Sequence, residues 1–113
     1  MNYAMKKTNK IIGELVKYMT AAGSDYYRID VRRLDNAFLV EFFSNFDPQC
    51  RAAIDKLESF AHAKRNLGLE ETFWQLAGAG SDDGEISLVF QMVDESHIEI
   101  ENNSVKIVFK KEF

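Results

Sequence analysis

The segment of this 113-residue chain best equipped for chemistry is Gly78-Ala79-Gly80-Ser81-Asp82-Asp83-Gly84. Glycine-rich loops hold phosphate when successive backbone N–H groups converge on the anion at a helix start, commonly after a strand and with a lysine close by. Here the glycines follow a helical pattern and lead towards a strand-like one, no lysine lies near, and two aspartates sit inside the run. An ordinary helix-to-strand connection is the better reading. Asp82, Asp83 and Glu85 offer oxygens to a hard cation, but their spacing is not that of an EF-hand loop, and a solvated acidic loop accounts for them.

Other reactive side chains are isolated. His97, Glu99 and Glu101 alternate along one run, which places them on the polar face of a strand; the histidine and one carboxylate supply two metal ligands and no motif supplies a third. His62 has no partner at ligand spacing. Cys50 follows Asp47-Pro48 at the start of a helical pattern, a position that reactive thiols also occupy, yet no base or orienting group stands at a catalytic spacing. It reads as a small filler. No Ser-His-Asp order, nucleotide fingerprint or zinc-ligand pair can be assembled, so no catalytic residue, metal or cofactor is expected. Trp74, beside Phe73 and the acids Glu70 and Glu71, is the remaining conspicuous side chain: tryptophan is usually core, but it is also enriched at binding hot spots. Tyr26 and Tyr27 carry the same ambiguity.

The elements that position these residues follow from hydrophobic period. Ile11, Ile12, Leu15, Val16 and Met19 make one stripe of a helix over about 8–22, with Thr8 as a cap and Gly23 as its stop. Tyr27, Ile29 and Val31 alternate with Arg28, Asp30 and Arg32, and after Leu34-Asp35-Asn36 the positions Phe38, Val40 and Phe42 resume the two-residue period, the pattern of a β-hairpin. Asp47-Pro48 opens a second helix, about 48–65, whose stripe is Ala53, Ile54, Leu57, Phe60 and Ala61. Leu69, Phe73 and Leu76 suggest a short third helix. Three strands are expected after it: Ile86 to Met92, Ile98 and Ile100, and Val105 to Phe109, the last two joined by a two-residue turn at Asn102-Asn103.

The expected architecture is therefore α+β, in the order α-β-β-α-α-β-β-β, with a mainly antiparallel, roughly five-stranded sheet and helices packed on one face. If the alternating stripes face inward, Leu39, Phe43, Val89 and Val108 face outward, too many large apolar residues for a plain solvent face. They and Trp74 are the candidate interaction residues. A subunit interface, hence a homo-oligomer, is the favoured cover; the helix bearing Trp74 and a natural partner are the others.

Composition narrows the class. At 46% hydrophobic and 28% charged, 113 residues fit one globular domain, 1–113, with a core large enough to fold without disulfides, and the single Cys50 agrees. No apolar run is long enough for a membrane span and no signal-peptide core follows the amino terminus, so a cytoplasmic chain is expected. The formal charge is −4, and between Asn66 and Val105 there is no Lys or Arg among nine acids. Such a stretch repels phosphate backbones, which argues against nucleic acid.

Glu14-Leu15-Val16-Lys17-Tyr18, followed by a hairpin ending Val40-Glu41-Phe42-Phe43-Ser44-Asn45, resembles the start of the histidine-kinase-type ATPase module over roughly residues 10–48. The resemblance implies that Glu14 is the module's helix glutamate. Tyr18 stands where its magnesium-binding asparagine would be, and the Asp-x-Gly-x-Gly nucleotide box is missing. The whole chain is also similar to small bacterial α+β proteins. The expectation is a non-catalytic protein-interaction or regulatory domain; the alternative is a small-ligand or degenerate nucleotide-binding module.

Overall fold

A computed structural model describes residues 3–62, 86 and 89–113. The first helix, α1 (Tyr3–Ala21), starts before Thr8. Thr8 is buried in its interior rather than capping it, and its hydroxyl donates to the Ala4 carbonyl at 2.7 Å, a bond that satisfies threonine inside a helix. Gly23 ends α1 as expected: its φ is 86°, and the Ser24 and Gly23 N–H groups donate to the Met19 and Thr20 carbonyls at 2.9 and 3.1 Å. That pair of bonds is a Schellman cap, which requires the left-handed conformation at Gly23.

Two hairpins follow the alternation. The strands β1 (Tyr27–Arg33) and β2 (Ala37–Asn45) are joined through Leu34–Asn36; β3 (Glu95–Glu101) and β4 (Ser104–Glu112) are joined across Asn102-Asn103, where Asn102 takes φ 53°. The second turn sets Ile98 opposite Ile107, Glu99 opposite Lys106 and Ile100 opposite Val105, as a two-residue loop requires. The hairpins join antiparallel through β2 and β4, giving the sheet order β1-β2-β4-β3. Between them, a 3₁₀ turn at Pro48–Cys50, capped by Asp47 Oδ1 accepting from the Gln49 N–H at 2.9 Å, runs into α2 (Arg51–His62).

The sheet has four strands, not five. The expected strand at Ile86–Met92 is helical at 86 and 89–92. Every described residue of that run, 86 and 89–92, is buried, and a short, almost wholly apolar run does not by itself distinguish the two periods. The expected third helix and Gly78–Gly84 lie outside the described residues.

Val40, Phe42, Ile98, Val105, Ile107 and Phe109 form the inner face of the sheet and share one core with Ile11, Leu15 and Met19 of α1, Ile54 and Leu57 of α2, and Ile86, Val89, Phe90, Met92 and Val93. The helices thus cover one face. They reach β1 only at its start, where the Tyr27 hydroxyl meets Thr20 of α1 and the ring packs on the core; the inward-facing Ile29 and Val31 are 39% and 42% exposed, whereas alternation alone places them in the core. α1 packs over β2 and β4, and α2 over β3.

Two polar clusters hold the corners. Asn45 Oδ1 accepts from the Asp25 and Tyr26 N–H groups at 3.0 and 3.1 Å and from Ser24 Oγ at 3.1 Å, tying the α1–β1 connection to the end of β2. At the opposite end of β2, Lys111 is 7% exposed; its Nζ donates to the Met92 carbonyl at 2.7 Å and lies 4.0 Å from Asp94 Oδ2, so a lysine closes the helical segment at its carboxyl end.

A β-carbon at Gly23 would lie 2.6 Å from Asp47 Cβ. Gly23→Ala therefore combines the left-handed penalty with a collision, and should lower unfolding stability by at least about 2 kcal/mol in urea denaturation with an unchanged m-value. Lys111→Ala removes a charged donor from a buried carbonyl and should cost about 2–3 kcal/mol in the same measurement.

Candidate functional site

The face of the sheet turned away from the helices presents Arg28, Asp30 and Arg32 from β1, Leu39, Glu41 and Phe43 from β2, Lys106, Val108 and Lys110 from β4, and Glu95, His97, Glu99 and Glu101 from β3. The registers match charge across the acidic edge: Glu95 stands opposite Lys110, and Glu99 opposite Lys106. Along the centre run Leu39, Val108 and Phe43, the first two half-buried and the last 36% exposed.

Tyr26, just before β1, is 53% exposed and meets Phe43 edge to face, with ring centroids 6.2 Å apart. The backbone that carries Tyr26 is fixed by its N–H bond to Asn45 Oδ1. Around this aromatic pair lies an open depression of about 290 Å³ lined also by Arg28, Asp30, Glu41 and Lys106. A second, of about 250 Å³, shares the Phe43–Lys106 ridge and extends to Glu99 and Glu101. The depression thus combines two aromatic rings with side chains of both charges, Arg28 and Lys106 against Asp30 and Glu41.

Leu39, Phe43 and Val108 are thus brought together on one face. Val89 is not: it lies in the helical segment and is 2% exposed, because its residue run is helical and not the strand that would have turned it outward. Trp74 lies outside the described residues. The sequence leaves the roles of Tyr26 and Tyr27 open: Tyr27 packs against the core, and only the turn that Asn45 holds brings Tyr26 against Phe43.

The side chains with chemical potential do not converge. His97 Nε2 lies 3.1 Å from Glu99 Oε1, both largely exposed, and among the described residues no group of three His, Cys, Asp or Glu could hold a metal. Cys50 is half-buried against the core. Tyr18 donates its hydroxyl to the Ala53 carbonyl at 2.8 Å, bridging α1 and α2, and borders a mainly apolar cavity of about 490 Å³ with Glu14 and Lys17. Among the described residues no helix is long and apolar enough to cross a membrane. Comparison with protein-family models, curated proteins and solved structures returns no match.

Proposed function

We propose that this chain is a non-catalytic protein-interaction domain working through the outer face of its sheet. The observation that carries the reading is the exposed Tyr26–Phe43 pair, held by a fixed turn and rimmed by Arg28, Asp30, Glu41 and Lys106. Aromatic side chains left in water on a rigid sheet offer contact area at small entropic cost, and the mixed charges around them set orientation. Leu39 and Val108 extend the apolar strip.

The reading is tested by capture from a lysate of the source cells with wild type and Phe43→Lys side by side. A protein held by the wild type should lose about 2 kcal/mol of affinity for the variant, while thermal unfolding of the variant stays near that of the wild type because Phe43 lies outside the core. Equal capture by both overturns the reading.

The second reading, a small-ligand or degenerate nucleotide-binding module, draws on the 490 Å³ cavity beside Glu14. Titration calorimetry with ATP and magnesium separates the two. No heat is expected at millimolar nucleotide, since no glycine-rich turn follows β2 and Tyr18 is committed to the α1–α2 contact; a saturable heat at micromolar nucleotide would put this reading first.

A further inference from the structure

β1 is an edge strand, with no strand on its far side among the described residues. The Leu34 N–H donates to the Ala37 carbonyl at 2.8 Å, and with the β1–β2 register this fixes the alternation of backbone bonds. Arg28, Asp30 and Arg32 bond towards β2, so Tyr27, Ile29, Val31 and Arg33 direct their N–H and C=O groups at the free edge. The same residues carry their side chains on the helix side of the sheet, where Ile29 and Val31 stand 39% and 42% exposed beside fully buried Phe42 and Val40. An unpaired edge and an uncovered apolar ledge thus coincide on one strand. The opposite edge is defended: β3 carries Glu95, Glu99 and Glu101 outward, and its inward Ile98 is already buried.

We infer that β1 pairs antiparallel with β1 of a second copy, with Ile29 on the two-fold axis. Identical strands pairing antiparallel must obey such an axis, and few registers bring the free backbone groups together. Setting Ile29 against Val31 places Asp30 on Asp30 and Arg28 on Arg32, like charge on like charge. Setting Val31 on itself places Ile29 against Arg33. Setting Ile29 on itself pairs Ile29 with Ile29 and Tyr27 with Val31 on the helix side, and Arg28 with Asp30 twice on the outer side. Those charge pairs occupy the non-hydrogen-bonded positions, where side chains lie closest. Within its own sheet Asp30 faces Glu41, a like-charge apposition that exposed Arg32, its Nε 3.9 Å from Asp30 Oδ1, offsets in part and Arg28 of the second copy offsets further. The dimer is a continuous sheet of two times four strands, with the apolar ledges meeting beneath the joint.

Sedimentation equilibrium of the full chain should show a dimer. Asp30→Arg sets Arg28 against a new cation at both contacts and should weaken the dimer at least about tenfold without loss of folding, because it also removes the apposition to Glu41. The double variant Arg28→Asp/Asp30→Arg restores opposite charges and should restore the dimer. In a Cys50→Ser background, Ile29→Cys should oxidise to a disulfide-linked dimer, since hydrogen-bonded pairs bring α-carbons to about 5.5 Å, and Arg33→Cys should not. A wild type that remains monomeric at the highest attainable concentration overturns the inference, as does a dimer indifferent to Asp30→Arg or one the charge swap fails to rescue. Phe43→Lys leaves this dimer intact, so failure here and failure of the outer-face reading are separate results.

Discussion

The fold depends on one close approach of backbone, at Gly23. There α1 ends in a left-handed cap, the chain turns towards β1, and the Asp47 N–H donates to the Ala22 carbonyl at 3.0 Å from the far end of β2. The space between Gly23 and Asp47 has no room for a side chain. Asp47 in turn caps the 3₁₀ turn leading into α2, and Asn45, two residues earlier, ties down Asp25 and Tyr26. The end of one helix, the start of another and the ends of two strands are therefore set by a single contact, and the inner face of β2, β4 and β3 is covered because α1 and α2 run from that junction on the same side.

Local chemistry made much of this legible before any coordinates. The Asn102-Asn103 turn specified the β3–β4 register residue by residue, since a two-residue loop leaves no choice of pairing. Gly23 and Asp47-Pro48 marked a helix end and a helix start for reasons of backbone conformation alone. Where tertiary burial decides, the residues were ambiguous. The run from Ile86 to Val93 is apolar at nearly every position, so a helix buried on all sides and a strand buried on both faces look alike. Thr8 has the side chain of a cap, but a hydroxyl that bonds back to Ala4 serves equally well inside a helix.

The candidate site shows the same division. Alternation put Leu39, Phe43 and Val108 on one face, and they are there because strand period survives whatever packs above it. The part that alternation could not supply is the role of Tyr26, which precedes the strand and is brought to Phe43 by side-chain bonds from Asn45, a residue with no signature beyond being polar. Ile29 and Val31 carry a core pattern without a core above them, since pattern records which way a side chain points and the length of the neighbouring helices decides whether anything covers it.

The central seam of the sheet joins strands far apart in the chain, Val40 lying against Phe109 and Phe42 against Ile107. Each hairpin can form by itself from neighbouring residues, but neither has an inner face worth burying until the two meet, and α1 has only half its platform before then. Closing that seam carries the loop entropy of the whole intervening segment, a larger cost than either hairpin turn carries.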